Sequence, residues 1–370
     1  MTKEQRGPSM TNKKASLDPW NVTMLGPSRI GKTSLLTALR VAGIDVFSGT
    51  AVSIEPEDEA TRTAFTANDT LLRSELSRGR FKPDLPGDAE AHTYGLVIDT
   101  GVDTHLLTLR FQDYPGGWLS TDKTDRVRDL MAESPTVMIP IDATLVMEAG
   151  ASHPREVFEG LRLVEVEDKV RFWAKERRRN GDATRLILVP VKCESYFTDN
   201  GGRSDKSEEL FTKVKSLYDY IVQTYLKEAG ESAQMLYAPV DTVGPIEYVR
   251  ADWVADQEGR QRLQTEYRVR MDANGQPRKR EIRGAEPILA QLVRDVISTQ
   301  ELALVEAKRE LEKAGSKRRS NWFKRTVDNW SGRHEERQRE MEALKSSLER
   351  LASSTGTLPR DQWGRVRQWV

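Results

Sequence analysis

The chain is poor in the residues that build covalent or metal-centred chemistry. It holds one cysteine, Cys193, which leaves no disulfide framework and suits a reducing compartment, read here as cytoplasmic. Its four histidines (His92, His105, His153, His334) are scattered, without the spacings that gather a metal-ligand set. Net charge is also missing. The 57 basic and 57 acidic side chains cancel, so no overall field draws nucleic acid, and no sequence-specific nucleic-acid partner is expected. No apolar run approaches the roughly 20 residues of a membrane span. Residues 1–18 are polar and lysine-containing, lack an apolar signal core and read as a disordered leader. With 370 residues the chain is still long enough to bury a sizeable core.

What is present begins with Gly26-Pro27-Ser28-Arg29-Ile30-Gly31-Lys32-Thr33, which fills every fixed position of the phosphate-loop pattern G-x-x-x-x-G-K-[ST]. The spacing has a mechanism. Glycines let backbone N–H groups wrap a phosphate, and Lys32 brings a compact positive charge to the β- and γ-phosphates. Thr33 and Ser34 open a helix whose N-terminus adds partial positive charge, and the Thr33 hydroxyl suits Mg²⁺. Val22–Leu25 reads as a short strand and Ser34–Leu39 as the start of an amphipathic helix, the context the loop requires. The phosphate-binding set is therefore Gly26, Ser28, Arg29, Ile30, Gly31, Lys32, Thr33 and Ser34.

From Pro19 to about Thr242, short apolar runs alternate with helical stretches. The pattern predicts a helix over Glu57–Ser77, strands at Tyr94–Ile98 and His105–Phe111 joined as a hairpin, and a strand at Val137–Ile141. A helix over about Arg155–Arg179, a strand at Leu186–Val189, a helix over Glu208–Lys227 and a strand at Met235–Ala238 follow. That order predicts an α/β fold: a three-layer P-loop NTPase, G-domain-like, over 19–312. A β-hairpin insertion is expected in about 245–285, with Tyr267–Arg270 and Lys279–Ile282 flanking an Asn274-Gly275 turn. Residues 313–370 are expected to form a charged, tryptophan-containing helical extension.

Further motifs fall in order along the frame. Asp113-Tyr114-Pro115-Gly116 ends an apolar strand, where an Asp joins Thr33 in the Mg²⁺ shell and the Gly116 N–H senses a γ-phosphate. Val191-Lys192-Cys193-Glu194 resembles the base-reading [NT]-K-x-D motif of GTPases. Lys192 would pack over the base and Glu194 would accept guanine's N–H groups. The extra methylene of Glu194 and the Val at 191 depart from the pattern and leave ATP open beside GTP. Ala238 and Pro239 are placed at the last base contact. Thr93 is the threonine nearest the switch position, with Thr61 and Thr63 inside a predicted helix. Where Ras-like enzymes carry a water-orienting glutamine, this chain has Gly117 and Trp118, so unaided hydrolysis should be slow. Arg29 either stabilises transition-state charge, joining Lys32 and Gly116 as the catalytic set, or points to solvent or a carboxylate. Asp142 either caps a helix or faces the phosphates.

Arg29 stands where guanylate-binding proteins and atlastins carry an internal arginine finger, set by dimerisation in the former; the resemblance covers only that loop. A broader one combines Gly26–Thr33 with Asp113-Tyr-Pro-Gly-Gly-Trp-Leu119, which together resemble the YcjX-type and double-GTPase-like bacterial P-loop proteins. It implies a Mg²⁺-dependent GTP-binding and hydrolysing switch within a multi-component bacterial system, activated by a partner or a homodimer. An ATPase with a degenerate base site and a nucleotide-dependent scaffold with little turnover remain alternatives. In the extension, Trp322, Thr326 and Trp330 share a helical face beside Phe323 and Val327, downstream of Lys317, Arg318 and Arg319. Such a face packs on the domain, binds a protein partner, or lies on a membrane surface. Met341, Leu344, Leu348 and Leu351 continue an apolar spacing too short to define a coiled coil.

Overall fold

A computed structural model describes residues 15–16, 18–81, 90–100, 105–121, 123–149, 153–199, 202–255 and 261–316, with 339, 342, 345–346, 349–350, 352–353 and 369. The leader up to residue 14, the face at Trp322–Trp330, and Met341, Leu344, Leu348 and Leu351 lie outside the described residues.

Five strands run parallel at the centre: β2 (Trp20–Met24), β6 (His105–Asp113), β7 (Thr136–Asp142), β8 (Thr184–Val191) and β9 (Ala233–Tyr237). Two antiparallel strands, β5 (His92–Asp99) and β3 (Ser53–Pro56), extend one edge, giving the order β3-β5-β6-β2-β7-β8-β9. A two-residue strand, β1 (Ala15–Ser16), adds to β6.

The central strands are apolar on both faces because both are covered. Met138, Ile187 and Val189 point into a cluster with Leu35, Leu36 and Leu39 of α1 (Lys32–Phe47), Phe65 of α2 (Glu59–Ser77), and Ile288, Leu289 and Leu292 of α8 (Glu286–Ser316). The alternate residues Val137, Ile139, Leu186 and Leu188 point the other way. They meet Val127 of α3 (Thr124–Ala132), Val146 of α4 (Ala143–Glu148), Val157 of α5 (Pro154–Gly160), Trp173 of α6 (Leu163–Arg179) and Val214 of α7 (Ser207–Ala229). Period-two alternation thus builds an α/β/α stack. Arg185 grips Asp295 with Nη2 to Oδ1 at 2.7 Å, tying α8 to the start of β8. No described helix is long and apolar enough to cross a membrane.

Three expectations change. The helix over 155–179 is two helices, α5 and α6, separated by a turn at Arg162 with φ of 54°. The edge strand β3 was not expected. The hairpin forms earlier: β10 (Ile246–Ala255) pairs antiparallel with β11 (Gln261–Val269), and β11 takes β4 (Arg80–Phe81) as a third strand. Asn274-Gly275 does make a turn, with the Asp272 carboxylate accepting from the N–H groups of Asn274 and Gln276. The pairing there is limited to a Met271–Pro277 bridge, flanked by Asp272 N–H donating to Gln276 O at 2.7 Å and Arg278 N–H donating to Arg270 O at 2.9 Å.

The far end of the chain returns to the sheet. Trp369 is buried, packed edge-on against Phe211 of α7 at 5.8 Å between ring centres, and Lys215 Nζ donates to its carbonyl at 3.1 Å.

Candidate functional site

The loop after β2 is fixed to the sheet by the Leu25 N–H donating to Met138 O at 2.8 Å. It then coils through two left-handed residues, Arg29 (φ 64°) and Gly31 (φ 108°). A φ of 108° suits glycine alone, and Gly31 caps α1. Lys32 is buried, its Nζ donating to the carbonyls of Gly26 and Pro27, each at 3.1 Å. The charge is thereby held inside the curve of the loop.

The end of β6 converges on the same point. Asp113 Oδ1 lies 3.8 Å from Lys32 Nζ, and Thr33 Oγ1 donates to Asp113 Oδ2 at 3.3 Å. The Asp-Tyr-Pro-Gly turn lies directly on the phosphate loop: a Cβ at Gly116 would stand 1.8 Å from Ser28 N and 2.2 Å from Pro27 C. Only glycine permits that contact. Tyr114 is buried beneath Lys32, with the ammonium 5.6 Å from the ring centre.

The Thr33 hydroxyl and the Asp113 carboxylate are hard oxygen donors placed together. No group of three His, Cys, Asp or Glu side chains able to hold a metal occurs among the described residues. A metal here must complete its shell with phosphate and water oxygens. That fits Mg²⁺, which prefers oxygen ligands and keeps several waters.

The residues expected on the base side are held by contacts within the protein. Lys192 has φ of 60°, and its Nζ meets Asp142 Oδ2 at 2.5 Å. Asp142 also caps α4, its Oδ1 accepting from Thr144 N–H at 2.9 Å and Leu145 N–H at 3.1 Å. Glu194 is fully buried and turned inward, where Oε1 accepts from Val243 N–H (2.6 Å) and Gly244 N–H (3.1 Å). Burial, then the nearby Asp241 charge, pushes its pKa up to about 7. In this conformation the Glu194 carboxyl closes the 241–244 loop. Ala238 is a core residue whose N–H donates to Leu188 O. The β8–β9 register carries Val191 opposite Val240, so the loop that meets Lys192 is Asp241–Gly244, with Lys192 N–H donating to Thr242 Oγ1 at 3.3 Å. Cys193 is a packing residue, buried with Sγ against Pro190 O at 3.3 Å.

Among the threonines weighed for the switch, Thr61 is buried and its Oγ1 accepts from Gly95 N–H, anchoring α2 to β5. Thr63 is an exposed residue of α2, and Thr93 is exposed on β5 opposite Gln112, one register position from Asp113. Ser28 and Arg29 are exposed at the tip of the loop, and Ser34 is half-buried in the first turn of α1.

Sequence reasoning missed the hairpin's approach. A cavity of about 180 Å³ lies beside the phosphate loop, walled by Ser28, Arg29 and Ile30 on one side and by Arg262, Gln264 and Thr265 of β11 on the other, with Lys192 and Asp142 also lining it. No motif marks β11, and only the tertiary fold brings it there.

No family model matches the chain, and no curated protein matches it. Among solved structures it is similar to an ADP-ribosylation-factor-like GTP-binding protein, the small COPII coat GTPase SAR1 from Encephalitozoon cuniculi in complex with GDP. The identity is 14%, over 61% of this chain and 70% of that one, with a TM-score of 0.25. At that score the likeness carries no argument about function. The mostly parallel sheet between helical layers is consistent with a P-loop GTPase-like fold.

Proposed function

We propose that this protein is a Mg²⁺-dependent GTP-binding and hydrolysing switch, with the phosphates held by Lys32 and the backbone of Gly26–Ser34. The observation that carries the reading is the convergence of Lys32, Thr33, Asp113 and Gly116 at one end of the parallel sheet. Thr33 and Asp113 would hold Mg²⁺, which when bound neutralises phosphate charge. Lys32 is already oriented, so little ordering is required of it when a phosphate arrives. Gly116 rests on the loop that would hold the γ-phosphate, so a shift in either backbone is felt by the other. Arg29, exposed at the loop tip, would act on the phosphates directly or after docking of a partner or second copy.

A second reading, an ATPase or a nucleotide-dependent scaffold without guanine selection, is favoured by the enclosure of Glu194. The YcjX-type likeness rests on the two loops alone, and membership of a multi-component bacterial system stays part of the proposal. So does a protein partner at the C-terminal helices or a peripheral membrane contact there.

Titration calorimetry with GTP and ATP analogues in Mg²⁺ separates these readings. Loss of the Lys32 charge-assisted bonds removes about 3 kcal/mol, roughly a 100-fold weakening of GTP binding in Lys32→Ala. Unchanged affinity in that variant sinks the phosphate-loop assignment, and equal GTP and ATP affinities in the unmodified protein select the second reading.

A further inference from the structure

We propose that the inserted hairpin completes the hydrolytic site in cis: Gln264 orients the attacking water, and Arg262 stabilises charge on the transferring phosphoryl group. This rests on the nucleotide-hydrolase reading above and adds to it the groups that its turn lacks. After Gly116 come Gly117, without a side chain, and Trp118. The latter is buried, stacked on Tyr114 at 6.4 Å, with Lys123 and Arg126 over its ring at 5.1 and 5.7 Å. Neither residue can offer an amide to water.

The hairpin offers one. All five residues from Gln261 to Thr265 line the cavity against Ser28–Ile30, so β11 meets the phosphate loop edge-on. Arg262 and Gln264 stand two positions apart, on one face of the strand. The opposite face is bolted down. Tyr267 hydroxyl hydrogen-bonds Thr144 Oγ1 at the first turn of α4, in a fully buried contact. Trp253, which pairs with Leu263, donates from Nε1 to Ala149 O at 3.4 Å and stacks on His153 at 4.9 Å. On the Gln264 side, Glu266 is held by Arg250 across the ladder at 3.2 Å. A strand fixed at this many points supplies the preorganisation that electrostatic catalysis needs.

The charged lining is mixed, with more cations than acids: Arg29, Lys192 and Arg262 stand with Asp142, which is bonded to Lys192, and Glu156. In the step assigned to it, a water oxygen forms a bond to the γ-phosphorus. The bond from that phosphorus to the β–γ bridging oxygen breaks, GDP leaves with the electron pair, and the water proton passes to a phosphate oxygen. The products are GDP and inorganic phosphate.

Single-turnover hydrolysis of GTP by the full chain, alongside binding of a non-hydrolysable analogue, tests the assignment. Expected are a rate loss of about 10-fold or more in Gln264→Ala and about 100-fold in Arg262→Ala, each with analogue affinity within about twofold of the parent. The parent rate per molecule stays constant as protein concentration rises. Both side chains are half-exposed, so the fold should tolerate their loss; thermal unfolding verifies this, and Gln264→Met preserves the packing volume if Gln264→Ala unfolds. Rates within twofold of the parent in both variants overturn the proposal. A parent rate per molecule that climbs with concentration overturns the cis assignment. A parent that binds GTP through Lys32 but never hydrolyses it overturns this proposal alone, whereas Lys32-independent binding overturns the nucleotide reading beneath it.

Discussion

Replacing Glu194 by Gln isolates what the buried carboxyl does. The amide oxygen can still accept from Val243 and Gly244, while the titrating group is gone. Glu194 Oε2 is buried with no hydrogen-bond partner among the described residues. Burial and Asp241 raise the folded pKa from 4.5 to about 7. Below the unfolded value both states are protonated and the residue's contribution is fully present. As pH rises toward the folded value, the unfolded state ionises first and gains, so stability falls across that window and then levels off. At about 1.4 kcal/mol per unit, the full loss is on the order of 3 kcal/mol, shared with Asp241. Urea unfolding from pH 5 to 8.5 should show the parent losing stability while Glu194→Gln loses much less, the two curves separating most above pH 7. Curves that stay parallel over the whole range refute the reasoning. The same variant reports on base reading: a tenfold or greater loss of GTP relative to ATP affinity would mean that Glu194 swings outward when nucleotide binds.

Three other outcomes follow from contacts described above. Gly116→Ala drives a methyl into the Pro27–Ser28 backbone, so the turn must lift from the phosphate loop; GTP hydrolysis should fall at least tenfold and the melting temperature should drop by several degrees, read by phosphate release and calorimetry. Asp113→Asn keeps the shape but removes the charge beside Thr33, so the Mg²⁺ concentration giving half-maximal nucleotide binding should rise about tenfold in a metal titration. Trp369→Ala empties the seat on Phe211 and Tyr237, and urea unfolding should show a loss of about 2 kcal/mol, the burial being partly offset by freeing the chain end.

The parallel strands were legible because runs such as Leu186–Val189 are apolar on both faces, and the phosphate loop because glycine, lysine and threonine each answer a separate physical demand. Local signals misled where tertiary context decided. Ser53–Pro56 carries only Ile54 as a strong strand former, and it becomes a strand because the edge of β5 is there to pair with. The helix break at Arg162 follows Gly160, the last residue of α5, a lone glycine that helical patterns tolerate and that therefore announces little. Asn274-Gly275 is the stronger turn signal, yet the longer ladder forms between the polar strands β10 and β11, which alternate enough to pair but not enough to stand out. Glu194 sits where its motif position predicts, but no sequence pattern says which way a carboxylate points. That Asp241–Gly244 meets Lys192 depends on a register that only the paired strands define.

The walls of the cavity beside the phosphate loop are far apart in the chain, residues 28–30 facing residues 261–265. The apolar face of α1 is likewise covered by Ile288, Leu289 and Leu292. The phosphate loop is synthesised before these supports. The loop therefore emerges with Leu35, Leu36 and Leu39 uncovered, and its surroundings are assembled only once α8 is available. Contacts this distant make folding slow relative to local helix formation. The surroundings of the motif are thus complete only once the chain has been made through α8, about 250 residues after the motif itself.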